Sequence, residues 1–275
     1  MTEQFPVGRA IREARQAKGL SLRALAGMLD VSPATMSAVE NGHTSVTVNR
    51  LQRIAELLGV SAARLLRGEG AVVDVPPHPR VGGWRNFEGL ALDPILEAAT
   101  RLFLRQGFHA TSMREVAAEA GLSVAGIYHH YSSKQQILLV LLDTTMAEIR
   151  WRQQAARNEG ATAVESFAFM VESLALFHAV RGDLAFLGAS EMRGLSGPDF
   201  DRIKALRDEV QYALDEQAAA CLEAGDFTTD DPHTACRAIA TMCTSLPAWF
   251  RLTGLLTPEQ VAKRYAAYAL ALMSA

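Results

Sequence analysis

The sequence predicts an all-α protein made of a small five-helix unit, a linker, and a larger helical unit. Three observations predict it. Apolar residues recur at i, i+3, i+4 and i+7 along almost the whole chain. A Ser, Thr or Asp, often followed by Pro, stands ahead of each such run and a Gly behind it. No segment alternates apolar and polar residues over a strand's length. With 275 residues, the chain is too long for one small core.

Residues 1–70 form the front unit. Val7, Ile11 and Ala14 share one face of a first helix, which Gly19 ends. Ser21 caps a second helix carrying Leu22, Leu25, Ala26 and Leu29 at i, i+3, i+4 and i+7. After the turn at Asp30 and Val31, Ser32 caps a third helix with Pro33 at its first position, where the missing N–H costs nothing. Asn41-Gly42 stops it. Thr47 then caps a fourth helix with Val48, Leu51, Ile54, Ala55 and Leu58 on one stripe, ended by Gly59, and a short fifth helix reaches residue 68.

Residues 71–90 read as a linker, because Gly68, Gly70, Pro76, Pro77, Pro79, Gly82 and Gly83 are too dense for a regular element. Its Trp84 and Phe87 are expected to pack onto the next domain. Residues 91–137 form a three-helix unit. Asp93-Pro94 opens a helix to Gln106, closed by Gly107, and Thr111 or Ser112 caps the next, to Ala120. Ser123 then caps a short helix to His130. Ser132 or Ser133 starts a long helix from Lys134 to about Asn158, and residues 138–275 stay helical. Pro247 falls inside an expected helix from Pro232 to Thr253 and is expected to kink it.

Apolar residues make up 49% of the chain and charged ones 21%, with a net charge of −3. The charge is unevenly placed. Lys and Arg number nine against six Asp and Glu over residues 1–70, seven against eight over 71–150, and eleven against sixteen over 151–275. A basic front suits a polyanion. The three cysteines, Cys221, Cys236 and Cys243, do not make a disulfide framework. Cys236 and Cys243 stand two helical turns apart, roughly 10 Å, too far for a bridge. No signal peptide or uninterrupted apolar span is visible, so a cytoplasmic, membrane-free protein is expected.

The front carries Gly19-Leu20-Ser21-Leu22-Arg23-Ala24-Leu25-Ala26 and then Val31-Ser32-Pro33-Ala34-Thr35-Met36-Ser37-Ala38-Val39-Glu40-Asn41-Gly42. A capped helix, a tight turn and a second capped helix with small, hydroxylated first residues can enter a major groove. The segment resembles the Cro/C1-type, or XRE-family, helix-turn-helix domain. The resemblance implies that Ser32, Pro33, Ala34, Thr35, Ser37 and Ala38 face bases or adjacent phosphates. Leu22 and Pro33 stand where that family often has glutamine.

The second unit carries Gly107-Phe108-His109-Ala110-Thr111-Ser112-Met113 and Val116 to Lys134, including Gly121-Leu122-Ser123-Val124-Ala125-Gly126-Ile127-Tyr128-His129-His130-Tyr131. This resembles the TetR-family DNA-binding domain nearly residue by residue. The resemblance implies phosphate contacts from Thr111, Ser112 and Lys134, a groove-facing set of Ser123, Val124, Ala125 and Gly126, and backbone or base contacts from Tyr128, His129 and His130. Adjacent histidines point about 100° apart on a helix, so no metal is expected there.

Over residues 138–275 the aromatic and sulfur-bearing stripes fit either a core or a ligand chamber. The chamber reading names Phe169, Met170, Phe177, Phe186, Met242, Trp249, Phe250 and Arg181. By resemblance to TetR proteins, the last two helices pair with their copies, giving a homodimer interface of Ile239, Cys243, Leu246, Val261, Tyr265, Tyr268 and Leu272. The stretch from Ala238 to Arg251, with Leu255 to Gln260 and Tyr265, is similar to TetR members that sense acyl-CoA thioesters. That similarity implies an acyl-CoA or another large hydrophobic acid as effector, with Arg181, Arg193 or Arg251 meeting its phosphates or carboxylate.

No phosphate-cradling glycine loop, Cys-x-x-Cys, His-Glu-x-x-His or nucleophile elbow is present. An enzyme and a bound cofactor are therefore not expected. Two functions remain: a dimeric repressor of an operator, released by a small-molecule effector, or a constitutive DNA-binding adaptor whose rear unit only dimerises. A cavity of several hundred cubic ångströms separates them in favour of the first.

Overall fold

The computed structural model describes residues 5–18, 20–58, 60, 62–66, 68, 83–87, 90 and 92–274. The expected stops at Gly19 and Gly59, and the linker glycines and prolines from Gly70 to Gly82, lie outside them. Every regular element among the described residues is helical. Two compact units divide the chain, residues 1–78 and residues 79–275.

The first unit comprises α1 (Phe5–Ala17), α2 (Leu22–Met28), α3 (Pro33–Glu40), α4 (Val48–Leu58) and α5 (Ala62–Leu66). The Ser21 and Ser32 hydroxyls accept the backbone N–H groups of Ala24 and Thr35, so both helices of the hairpin start on a side-chain cap. Asp30, at φ 54, makes the left-handed turn between them. Ile11, Leu25, Met36, Ile54 and Leu65 meet in the core, each 2% exposed or less. A buried pair locks α1 to the end of α3: Arg15 Nε and Nη2 donate to the two Glu40 carboxylate oxygens at 2.6 and 2.9 Å. The backbones come close beside it, since a Cβ on Gly8 would lie 2.5 Å from the Val39 carbonyl oxygen.

The second unit begins with the strap Trp84–Phe87 and continues through α6 (Pro94–Gln106), α7 (Met113–Glu119), α8 (Val124–His130), α9 (Lys134–Glu159), α10 (Ala163–Val180), α11 (Gly182–Ser190), α12 (Gly197–Glu223), α13 (Pro232–Thr244), α14 (Leu246–Trp249) and α15 (Pro258–Met273). A 3-10 turn, Glu191–Gly194, follows α11. Helix α10 is the axis of the rear and packs on α9, α11, α12, α13, α14 and α15. Burial from Met170 through Ala179 on all sides explains why α10 is long and apolar enough to cross a membrane by length and composition.

The strap is held mainly through its backbone. Arg152 Nη1 donates to the carbonyls of Trp84 and Asn86, and Arg181 Nη2 to that of Phe87 at 2.6 Å. The Arg152 guanidinium also lies 3.4 Å over the Phe87 ring. Trp84, 1% exposed, donates its indole N–H to Glu159, and Arg85 forks onto Glu172.

Helix α9 runs unbroken from Lys134 to Glu159, close to the expected end near Asn158. One expectation changes here. Pro247 does not kink one helix but separates two: α13 ends at Thr244, and α14 takes Pro247 in its first turn, where an N–H has no acceptor within the helix and its loss costs nothing.

Candidate functional site

In the first unit, the start of α3 presents Ser32, Pro33 and Ala34 to solvent, with Thr35, Ser37 and Ala38 half-buried behind them. Ser32 and Thr35 share a hydroxyl hydrogen bond of 2.8 Å, and Asn41 donates to Ser37 at 3.3 Å. Arg23 and Arg50 are exposed cations that the motif reading did not single out. Their signal is an arginine at the second position of α2 and at the third of α4, beside the helix starts.

In the second unit, α8 presents Ser123, Val124, Ala125, Tyr128, His129 and His130 to solvent, and only Ile127 is fully buried. Val124 and Tyr128 are 41% and 48% exposed. Apolar groups of this kind suit thymine methyls. Gly126 is half-buried, and a Cβ there would crowd the Ser123 hydroxyl at 3.2 Å, the same hydroxyl that caps the helix through Gly126 N–H. The end of α8 is tied to the start of α6. Asp93 accepts the Ile95 and Leu96 N–H groups on one oxygen and the Tyr131 hydroxyl on the other. Burial and then the Asp93 carboxylate hold the Tyr131 phenol above its usual range. Ser112 and Glu115 form a reciprocal capping box on α7. Hydrogen bonds from the Ser112 side chain and backbone push the Glu115 carboxyl down.

Two of the residues expected to touch phosphate are otherwise engaged. Thr111 is 2% exposed, with its hydroxyl donated to the Gly107 carbonyl at 2.8 Å. The Lys134 ammonium donates to the carbonyls of Phe108, His109 and Thr111 and lies 4.4 Å over the Phe108 ring. Three donors meet three acceptors, and burial lowers its pKa. Both residues shape the loop ahead of α7; Ser112 remains exposed.

The rear unit holds a cavity of about 410 Å³ between α9, α10, α11, α12 and α13, faced by Met146, Leu174, His178, Met192, Ile203 and Leu214, with Arg207 and Gln211 among its polar residues. A larger outer groove of about 870 Å³ lies against α6, lined by Arg101, Arg181, Phe186, Phe250 and Arg251. Of the expected ligand residues, Arg181, Phe186, Phe250 and Arg251 line the groove and none lines the inner cavity. Met170 and Phe177 are core, 1% and 0% exposed, and Phe169 stacks near Trp84 at 6.1 Å. Met242 and Trp249 line neither space. The cavity-facing stripe of α10 is Leu174 and His178, one residue round from the aromatic stripe, and one residue is about 100°. Helix α12 supplies the wall the sequence reading missed. Its signal was Ile203, Arg207, Gln211 and Leu214, a helical stripe that mixes polar with apolar residues.

On the last helices, Ile239, Cys243, Leu246 and Val261 are each 2% exposed or less, inside the protomer. They cannot meet a second chain. Tyr268, at 56%, and Leu272, at 37%, are exposed, and Tyr265 is half-buried beside Tyr268. All three cysteines are free and buried, and burial pushes the Cys236 and Cys243 thiols up to about 12.

Comparison with known proteins gives three family matches: a helix-turn-helix over residues 11–65, the bacterial regulatory proteins of the tetR family over 95–141, and a tetracyclin repressor-like C-terminal domain over 160–273. The HTH-type transcriptional repressor KstR2 of Mycolicibacterium smegmatis is 26% identical over 182 residues, 65% of this chain and 88% of that one. A tetR-family regulatory protein from Rhodococcus RHA1 superposes with a TM-score of 0.62 at 27% identity, covering 66% of this chain and 95% of that one. The structure of AibR with isovaleryl coenzyme A and operator DNA gives a TM-score of 0.58 at 26% identity, covering 63% and 95%.

Proposed function

The chain belongs to the TetR family of bacterial regulatory proteins, with a helix-turn-helix unit of the Cro/C1 type in front, and on that premise we propose how its response to a ligand is built. It is a ligand-responsive, DNA-binding transcriptional repressor. Its effector is a coenzyme A thioester whose acyl chain fills the inner cavity and whose anionic end lies in the outer groove. The observation that carries this reading is the pairing of the two spaces: an apolar-walled cavity of about 410 Å³, within the usual size of a small-molecule site, beside a groove bearing Arg101, Arg181 and Arg251. AibR, a structural relative, is known with isovaleryl coenzyme A bound. A constitutive adaptor has no use for such a cavity.

Coupling from cavity to DNA runs through packed elements. Met192 faces the cavity, and the same 3-10 turn carries Gly194, where a Cβ would lie 2.6 Å from Phe108 and 2.7 Å from Leu138. Glu191 accepts the Phe108 N–H at 3.4 Å. Helix α9 lines the cavity with Leu142, Thr145, Met146 and Ile149, and its Lys134 grips the loop before α7. An effector that displaces this turn and α9 changes the spacing of the paired α8 helices in a homodimer, so that they leave successive major grooves. The dimer face is the exposed side of α13 and α15, including Tyr265, Tyr268 and Leu272. The site of action is the cytoplasm, on double-stranded DNA.

Thermal-shift titration with a panel of coenzyme A thioesters and the matching free acids, together with gel shifts on the DNA upstream of the protein's own gene, tests the reading. One thioester is expected to raise the melting temperature and release the DNA. A panel in which no thioester does either refutes it.

A further inference from the structure

Among the described residues, His178 alone lines both the inner cavity and the outer groove. It is 5% exposed, and its Nδ1 lies 2.7 Å from the Leu174 carbonyl oxygen one turn back on α10. A carbonyl oxygen only accepts, so Nδ1 carries the proton. In the neutral ring Nε2 is then a bare acceptor, with no hydrogen-bond partner among the described residues. A second proton is opposed by burial, and Arg207, reaching in from α12, acts in the same direction. A polar atom without a protein partner, on a residue that is buried overall yet faces two cavities, is placed for a ligand.

We propose that His178 is a specificity-determining residue whose Nε2 accepts a hydrogen bond from an N–H or O–H of the effector at the junction of cavity and groove. The proposal rests on the effector reading above and sharpens it. A thioester with a pantetheine arm carries an amide N–H two carbons from its sulfur, and an acyl chain seated in the cavity brings that N–H to the junction. A carboxylate at the same place sets acceptor against acceptor, and both stay buried without a donor. A free acid is therefore disfavoured in that pose.

The test is calorimetric titration of the full chain with two probes: S-octanoyl-N-acetylcysteamine, and its analogue with an ester oxygen in place of the amide N–H. The wild type binds the amide about ten- to a hundredfold more tightly, the worth of one buried hydrogen bond whose acceptor is otherwise left bare. The preference falls to near unity in His178→Phe and partly returns in His178→Gln, which keeps an acceptor near the Nε2 position. Equal binding of both probes by the wild type, or a preference that survives in His178→Phe, overturns the role of His178 and leaves the effector reading standing. Binding of neither probe overturns the role of His178, and the coenzyme A thioester panel then decides the effector reading. If His178→Phe does not fold, the wild-type ratio still decides, and ¹⁵N spectra of the histidine ring provide a second readout. The Nε2 resonance moves with the amide probe, and an unmoved resonance counts against the proposal.

Discussion

At the scale of single residues, position along a motif and availability to a partner are different things. Lys134 sits where the family resemblance implies a phosphate contact, yet its ammonium is saturated by three carbonyls. Lys134→Met is expected to lower stability by about 1–3 kcal/mol, the cost of stranding buried acceptors. It weakens operator binding while leaving the slope of log K against log salt unchanged. A lost phosphate contact would instead reduce that slope by about 1, so gel shifts across a salt series separate the two. His178 makes a pH prediction. Burial, with Arg207 adding to it, pushes its folded-state pKa down to about 4, against about 6.5 for the unfolded chain. Between those values the unfolded chain takes up a proton that the folded one refuses. Stability therefore falls as pH drops from about 6.5 toward 4, by roughly 3 kcal/mol at the acid end. Urea unfolding at pH 7 and pH 4.5 should show a smaller loss for His178→Gln than for the wild type.

At the scale of elements, the exposed side of α13 and α15 is the face offered to a second chain. Tyr268→Glu combined with Leu272→Glu is expected to weaken self-association at least about tenfold by sedimentation equilibrium, since like charges then meet across a two-fold interface. Ile239→Ala acts differently, lowering stability by about 2–5 kcal/mol through a core cavity. Helix existence and helix starts were legible from the sequence, because a hydroxyl or carboxylate ahead of an apolar run is a local device: Ser21, Ser32, Asp93, Ser112, Ser123 and Ser133 all cap the helices they precede. Which face of a fully apolar helix meets which neighbour was not legible. On α10, buried all round from Met170 to Ala179, periodicity cannot tell core-facing Phe177 from cavity-facing His178. A cavity is a misfit between helices distant in sequence, here α9, α10 and α12, and no single stripe records it. The same blindness placed Ile239 and Val261 at an interface instead of in the core.

At the scale of the whole molecule, a net charge of −3 conceals a basic front and an acidic rear, and each part reads with its own motif. Deleting residues 1–70 is expected to weaken operator binding and shorten the nuclease footprint while effector release of the remaining complex persists; an unchanged footprint would assign the front unit to protein contact instead. The strap bears on where such a second recognition sequence can lie. Because Trp84 is hydrogen-bonded to α9 and lies against Phe169 of α10, the stretch whose length governs the front unit starts at residue 84, not at residue 90. From Gly68 to Trp84 is sixteen peptide steps, which span at most roughly 55 Å even when fully drawn out. On B-form DNA that distance is about 16 base pairs at 3.4 Å each. The strap thus acts as the origin of a ruler: Gly68, just beyond the last helix of the front unit, lies no farther than that from Trp84, so each residue removed between them shortens the reach of the front unit by about 3.5 Å.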